Sequence, residues 1–144
     1  MKRVEILKQV QVDAMAFYIK VHNYHWNIKG MEFFPVHEMT EKIYNAFAGV
    51  YDDCAERVIQ LGDKPVLKMS DIVSKTKIAE EARDSFSGKE VMEAILADYR
   101  YFLQTFTQLS TVADEEGDNT TAAYADDQVA SLEKDIWMMS QSLQ

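Results

Sequence analysis

The sequence predicts an all-α protein, a single domain spanning residues 1–144 and built as a bundle of four long helices. Its 144 residues are 47% apolar, which is enough to bury one core without covalent crosslinks. Only two prolines and five glycines interrupt the chain, too few for the many turns of an all-β protein. Apolar residues recur at three-four spacing in four long segments, a pattern typical of helices that bury one stripe.

The first two helices are predicted from their apolar stripes and their stop signals. The first runs from about Val4 to Lys29, where Gly30 offers a C-terminal stop. The second starts near Pro35, a residue suited to a first helical turn, and ends at Gly62. The two stripes comprise Leu7, Val10, Ala14, Phe17, Val21, Tyr24 and Ile28, and then Met39, Ile43, Phe47, Val50, Cys54, Val58 and Leu61.

A longer connection, residues 63–87, separates the second helix from the third and contains a short helix from Ser70 to Lys75. Ser87 and Glu90 form a capping-box pattern, which predicts that the third helix begins there. The stripe of the third helix comprises Val91, Ile95, Phe102, Phe106, Leu109 and Ala113.

The fourth helix follows a short link, because Gly117 breaks the third helix and Asp118 or Asn119 can cap the next one. Its stripe comprises Ala122, Ala125, Val129, Leu132, Ile136, Met139 and Leu143. Short links make antiparallel neighbours, whereas a link of roughly 25 residues can carry the chain along the bundle to the next pair. The predicted fold is therefore a ferritin-like four-helix bundle with one crossover.

The net charge and the cysteine content indicate which partners and which cellular compartment to expect. The formal net charge is −9, so the chain repels nucleic acid on average and attracts cations. Cys54 is the single cysteine, which excludes an internal disulfide and is compatible with a reducing cytoplasm. The first fifteen residues mix charges with apolar residues, so we expect neither a signal peptide nor a membrane span, and a cytoplasmic location.

Two groups of potential metal ligands stand out. His22, His25 and His37, the only histidines, fall within sixteen residues. Asp52 and Glu56 are four residues apart on the second helix, so their carboxylates share one face. Each group also has an ordinary interpretation, as hydrogen-bonded surface histidines and as a solvated acidic face.

The two groups lie too far apart to bind the same ion within one chain. Asp52 and Glu56 follow His37 by 15 and 19 residues, which corresponds to roughly 22–28 Å along a helix. Metal–ligand bonds are only about 2 Å long. Either the groups are unrelated, or a second copy packed antiparallel across a two-fold axis brings its carboxylates to the histidines of the first.

The usual di-iron site within one four-helix subunit needs Glu-x-x-His motifs. The residues three positions before the histidines are Ile19, His22 and Phe34, so that motif is absent and an ordinary ferritin-type centre is excluded. A mixed imidazole and carboxylate ligand set without thiolate suits iron, manganese or zinc.

Three segments resemble the signature of the Dps family, the mini-ferritins that protect DNA during starvation. They are HNYHWNIKG at 22–30, Phe33-Phe34 with His37, and DDCAERVIQLG at 52–62. The similarity extends over the whole chain and includes 124–127 and Ile136-Trp137. Within the family, the chain is most similar to the neutrophil-activating-protein branch of epsilon-proteobacteria.

The resemblance implies a hollow dodecamer of two-fold dimers, with two irons in each ferroxidase site at the dimer interface. His25 and His37 would come from one subunit, and Asp52 and Glu56 from its partner. Glu41 occupies a position where many relatives have Asp, and it would be a weaker ligand or act through water. The implied reaction is oxidation of Fe(II) to Fe(III), favouring hydrogen peroxide over dioxygen, followed by storage of the oxidised iron.

The resemblance also suggests roles for residues outside the ligand set. Trp26 adjoins His25 and is either an interface aromatic or an electron donor that quenches oxidising equivalents. In relatives, acidic residues near the start of the last helix line three-fold pores that admit cations. Asp118, Asp126 and Asp127 are therefore candidate pore residues, against the simpler interpretation of a solvated acidic turn.

Two other functions remain open from the sequence. The first is a DNA-compacting protein, but only Lys2 and Arg3 precede the early helix, so we expect weak DNA binding or none. The second is a secreted role in immune modulation or adhesion, which only the resemblance to one branch suggests.

Overall fold

The computed structural model describes all residues 1–144 and contains five helices and no strands. In chain order they are α1 (Lys2–Asn27), α2 (Phe33–Gln60), α3 (Met69–Lys75), α4 (Gly88–Glu115) and α5 (Asn119–Ser142). The predicted arrangement of four long helices and one short helix in the second-to-third connection is confirmed. None of the helices has the length and apolar character that crossing a membrane requires.

The bundle consists of two helical hairpins, α1 with α2 and α4 with α5, which meet where α1 packs on α4. The predicted stripes form its core, and every predicted member on α1 and α4 is buried. At the centre, the Phe17 ring lies 4.7 Å from Phe47 and 5.3 Å from Phe102. Phe17 and Phe102 are fully buried, so truncating either to alanine would cost about 3–5 kcal/mol of stability.

The helix ends follow local rules that were readable in the sequence. The Ser87 hydroxyl accepts a hydrogen bond from the Glu90 amide, and the Glu90 carboxylate accepts one from the Ser87 amide. This capping box begins α4 as predicted. At the α1–α2 turn, Gly30 has φ of +104°, a conformation that a side chain would strain. The turn reverses the chain tightly and sets the ends of α1 and α2 side by side.

The connection between α2 and α4 docks on a second face of α1. Val12, Val66 and Ile72 form a small apolar cluster there, separate from the main core. The buried Gln11 amide donates to the Val66 carbonyl at 2.8 Å and accepts from the Val66 amide at 2.9 Å. As a result, α1 is covered on two sides, and α3 packs on it as well.

Asp13, a fully buried carboxylate on α1, fixes the later part of the connection. It accepts hydrogen bonds from the Thr76 hydroxyl and the Lys77 amide, both at 2.8 Å. It also accepts from the Tyr101 hydroxyl on α4 and the Gln9 amide. These bonds satisfy a charge that would be costly to bury alone.

Candidate metal centre

The α1–α2 turn brings His25 and His37 into direct contact. His25 lies in the last turn of α1 and is 6% exposed, and His37 is half-buried in the second turn of α2. Their ring centroids are 3.6 Å apart, with the planes inclined by 17°. Two imidazoles therefore share one end of the hairpin.

Each of the two histidines is oriented by the backbone of the other. The His25 Nδ1–H donates to the His37 carbonyl at 2.8 Å, and the His37 Nδ1–H donates to the His25 carbonyl at 2.8 Å. A carbonyl can only accept, so both rings carry their proton on Nδ1. The Nε2 lone pairs are consequently free, which is the tautomer that a metal ligand needs.

The environment of His25 also favours the neutral, metal-binding form. Burial disfavours the imidazolium and lowers the pKa of His25, against a smaller opposing effect of its hydrogen bond to the His37 carbonyl. The buried Thr40 hydroxyl lies 3.0 Å from His25 Nδ1 and donates to the Val36 carbonyl at 2.8 Å. Thr40 thus helps to hold the ring, a role that the sequence pattern did not reveal.

The remaining predicted ligands lie elsewhere on α2. Glu41 is exposed, one turn after His37. Asp52 and Glu56 are exposed one turn apart, and the charge of Asp52 raises the pKa of Glu56. Two carboxylates close enough to repel each other favour a cation between them.

No group of three or more His, Cys, Asp or Glu side chains in the single chain is close enough to hold a metal ion. α2 is one uninterrupted helix across His37, Asp52 and Glu56, so the spacing of roughly 22–28 Å expected from the helical rise applies. The chain therefore presents two candidate half-sites, an imidazole pair where α1 meets α2 and an acidic pair further along α2.

Aromatic side chains surround the imidazole pair on one side. The His22 Nδ1 donates to the Tyr18 carbonyl at 2.7 Å, and its ring stacks on Tyr44 at 3.8 Å. The Tyr44 ring meets His25 edge-on at 5.1 Å. Trp26 is 64% exposed, and its ring lies 5.4 Å from His22. Tyr44 was not singled out from the sequence, because a lone tyrosine on a helix carries no signal.

The three candidate pore residues have different environments. Asp118 is buried, caps α5 and pairs with Arg3 and Arg57 at 2.8 and 2.9 Å. Both of its oxygens are engaged, so the structure gives it a role in tying helix ends together. Asp126 is exposed and accepts a hydrogen bond from Ser110, and Asp127 is exposed. Asp126 and Asp127 therefore remain the pore candidates whose side chains are exposed.

Several large apolar side chains are exposed on the first hairpin and the connection that follows it. They lie on α1, α2 and the connection, and they are Ile19, Trp26, Phe34, Ile59, Leu67, Met69 and Val73. Exposed apolar surface of this kind marks contact sites for other molecules or other copies of the chain.

Comparison with known proteins agrees with this architecture. A model of the ferritin-like domain matches residues 4–144. The chain is 48% identical over 143 residues to a DNA protection during starvation protein of Helicobacter pylori, covering 99% of both sequences. It is also 32% identical over 139 residues to the protein of that name from Brevibacillus brevis, covering 96% of this chain and 93% of the relative.

Solved structures give the same result. The crystal structure of Helicobacter cinaedi CAIP matches with a TM-score of 0.98 and 54% identity, covering 99% of each chain. The Dps protein of Vibrio cholerae O1, described as a member of a broad superfamily of ferritin-like diiron-carboxylate proteins, matches with a TM-score of 0.94 and 30% identity, covering 99% and 89%. The resemblance in the sequence motifs is thereby confirmed. This chain belongs to the Dps group of the ferritin-like family.

Proposed function

We propose that this protein is an iron-storage mini-ferritin that oxidises Fe(II) to Fe(III) with hydrogen peroxide, or more slowly with dioxygen. The observation that carries the proposal is the reciprocal pair of His25 and His37, whose Nε2 atoms are free on one half-site. The acidic half-site of Asp52 and Glu56, towards the other end of α2, supplies the negative charge that the neutral imidazoles lack.

The complete centre forms between two subunits in this proposal. An antiparallel dimer with a two-fold axis sets the histidines of one α2 against Asp52 and Glu56 of the partner subunit, and it forms two identical sites. Glu41 is a weaker ligand or acts through water. The exposed apolar side chains on α1, α2 and the connection support a subunit contact. Six such dimers make the dodecamer that the family resemblance implies.

The ligand types suit the two oxidation states of the iron substrate. Imidazoles hold Fe(II), and the carboxylates stabilise the higher charge of Fe(III). With two Fe(II) ions in one site, hydrogen peroxide accepts one electron from each, its O–O bond breaks, and the two oxygen atoms take up two protons from the solution to give two water molecules. This two-electron reaction avoids release of hydroxyl radical and thereby protects the cell from oxidative damage.

The proposal also covers where the oxidised iron is stored and in which compartment the protein works. A net charge of −9 on each chain favours cation entry and mineral growth inside a cage. Asp126 and Asp127 are the residues that we propose for the entry pores. Cys54 is a buried free thiol, compatible with a reducing compartment, and we propose the cytoplasm.

Complementation between two inactive variants tests the shared site. One chain carries His25→Ala and His37→Ala, and the other carries Asp52→Ala and Glu56→Ala. Each cage alone is expected to lose peroxide-dependent Fe(II) oxidation. When the two chains assemble together at random, about one quarter of the sites regain both half-sites, so stopped-flow absorbance is expected to show about a quarter of the wild-type activity.

Glu80→Ala is the matched control, because Glu80 is an exposed acidic residue on the connection. It is expected to oxidise iron at the wild-type rate. Mixed cages that stay inactive would show that the site is not shared between subunits. Wild-type rates in both single variants, His25→Ala and Asp52→Ala, would show that these residues are not the ligands.

A further inference from the structure

A cavity of about 510 Å³ lies between the two hairpins, where the first half of α2 faces the last turns of α5. Three of the eight methionines in the chain line it, Met39, Met138 and Met139, together with Tyr99 from α4. None of the proposed iron ligands is part of its wall. The cavity is therefore separate from both half-sites, and the proposed iron chemistry does not use it.

The helical spacing explains why these side chains share one cavity. On α5, Asp135, Met138 and Met139 stand at positions i, i+3 and i+4, so they lie on the same face of the helix. Met39 reaches the cavity from α2, one turn before the buried Ile43. Two helices thus bring three thioethers and one carboxylate to a common space.

Packing of the core accounts for only part of this cluster. Met39 and Met139 belong to the predicted apolar stripes, and Met139 is only 5% exposed in the main core. Met138 lies outside the stripe of α5 and is 52% exposed, although it lines the same cavity. The three methionines thus run from the buried base of the cavity, at Met139, to its exposed mouth, at Met138.

The cavity also carries a carboxylate without a counter-charge. Asp135 is half-buried, and none of the ion pairs within the chain includes it. Glu38 and Lys42 also line the cavity, but both are exposed and their opposite charges offset each other. A half-buried carboxylate of this kind favours a cation beside it.

The methionine donors determine which cation fits. A thioether is a soft, polarizable and uncharged donor, and the three rotatable bonds of methionine let the side chain close around a small ion. Soft sulfur ligands select Cu(I), whereas magnesium, calcium and manganese prefer oxygen ligands. The set of three thioethers and one carboxylate therefore suits a soft monovalent cation.

We propose that this cavity is a binding site for a single Cu(I) ion, with the thioethers of Met39, Met138 and Met139 as its ligands. The Asp135 carboxylate balances the charge of the ion. Cu(I) is the form of copper that a reducing compartment maintains, and the buried free thiol of Cys54 is compatible with such a compartment. The site gives the protein a second metal that does not compete for the iron centre.

Ag(I) is the probe, because it shares the charge and the sulfur preference of Cu(I) and is not oxidised by air. Silver nitrate is titrated in chloride-free buffer into the assembled protein, which carries isotope-labelled methionine methyl groups. Methyl NMR is expected to reach saturation at a single Ag(I) per chain, with the largest shifts at three of the eight methionine signals. Single leucine variants of Met39, Met138 and Met139 assign those signals.

The triple variant Met39→Leu, Met138→Leu and Met139→Leu removes the sulfur atoms and keeps apolar side chains of similar volume. It is expected to lose Ag(I) binding and still to oxidise Fe(II) at the wild-type rate, which shows that the fold and the assembly are intact. Met138→Leu alone, at the exposed position, is expected to weaken Ag(I) binding without any effect on folding. Equilibrium dialysis without oxygen then measures Cu(I) itself, which the wild type is expected to retain and the triple variant to lose.

Met92→Leu is the matched control, because Met92 is a half-buried methionine of α4 outside this cavity, and it is expected to bind Ag(I) as the wild type does. Cys54→Ala removes the only thiol and is expected to keep the three methyl shifts. The copper site would be overturned by a wild type that binds neither ion, by Ag(I) binding that survives in the triple variant, or by binding that disappears in Cys54→Ala. None of these results bears on the proposed function, which depends on Fe(II) oxidation alone.

Discussion

At the scale of single residues, Thr40 is a small side chain with a large expected influence on metal binding. Its hydroxyl is fully buried and lies between the His25 Nδ1 and the Val36 carbonyl. Partners of this kind orient a ligand ring, and their loss typically costs about 10–100-fold in metal affinity.

Thr40→Val keeps the shape of the side chain and removes the hydroxyl. We expect about tenfold weaker binding of Co(II), a redox-stable substitute for Fe(II), measured by calorimetric titration of the assembled protein. Thr105→Val is the control, because the Thr105 hydroxyl donates to the Tyr101 carbonyl in the same way on another helix. Equal Co(II) affinity in the wild type and Thr40→Val would contradict an orienting role.

Asp118 provides a prediction of pH dependence. Burial acts to raise the pKa of this carboxyl. Hydrogen bonds from Thr121, the charge of Arg57 and a hydrogen bond from Arg3 prevail, and they lower the pKa to about 2, from 3.8. The folded protein therefore binds this proton less tightly than the unfolded chain. The stabilisation, about 2 kcal/mol, is present above about pH 4 and is lost as the pH falls towards 2.

Asp118→Asn removes the charge and keeps the size of the side chain. At neutral pH we expect a free energy of unfolding lower by about 2 kcal/mol, measured by urea denaturation. The difference in the free energy of unfolding between Asp118→Asn and the wild type is expected to shrink as the pH falls from about 4 towards 2. The exposed Asp127→Asn serves as the control, and a difference that stays constant with pH would exclude this mechanism.

At the scale of elements, the long connection depends on one buried carboxylate. Asp13 receives hydrogen bonds from Thr76 and Lys77 of the connection and from Tyr101 of α4. Hydrogen bonds to a charged group contribute about 1.5–3 kcal/mol each, and a buried donor left without a partner costs about 1–3 kcal/mol. The connection is therefore anchored by polar contacts as much as by its apolar cluster.

Asp13→Ala is expected to destabilise the protein by about 3 kcal/mol, since it removes several hydrogen bonds to a buried charge and leaves their part-buried donors unpaired. Hydrogen exchange followed by mass spectrometry is expected to show the fastest new exchange at residues 66–78, because those contacts hold the connection on α1. Asp84→Ala, at an exposed position of the same connection, is the control. Uniform acceleration throughout the protein would argue against a local anchor.

The elements differ in how far the sequence predicted them. The long helices follow from local patterns, since three-four spacing, Gly30 and the box of Ser87 and Glu90 all lie within a few residues. The anchoring of the connection was not predictable, because Asp13 finds partners 63 and 88 residues away in the chain. Contacts at that separation depend on the complete packing of the bundle.

At the scale of the whole molecule, charge bears on the alternative function of DNA compaction. The net charge is −9, and Arg3, one of two basic residues at the N-terminus, is bound to Glu116 and Asp118 at 2.8 Å each. The backbone amide of Lys2 also donates to Glu116. The N-terminus is therefore held against the bundle rather than offered as a basic arm.

We expect no gel shift of duplex DNA at neutral pH and physiological salt, because few phosphates can be neutralised. A variant with a Lys-rich extension ahead of Met1 serves as the positive control and is expected to bind in a salt-dependent manner. Tight binding by the wild type that weakens steeply with added salt would restore DNA compaction as a function.

The candidate site was predictable only in part at this scale. The family signature pointed to His25, His37, Asp52 and Glu56, and the structure shows the first two in contact, each with its Nδ1 bound to the carbonyl of the other. In the proposal, the histidines meet the acidic pair only when two chains associate. Within one chain, the spacing of these residues along α2 is the only pattern that points to such an association. That assembly stays a prediction.

The crossed hydrogen bonds between His25 and His37 have a consequence for mutational analysis. Each imidazole ring donates a hydrogen bond to the main-chain carbonyl of the other histidine. Removing one side chain therefore also removes a hydrogen bond that holds the backbone of the other histidine. A double-mutant cycle on metal affinity should therefore be non-additive, with the second substitution costing much less than the first. In thermodynamic terms, the two histidines of the proposed site would then act as a single coupled ligand.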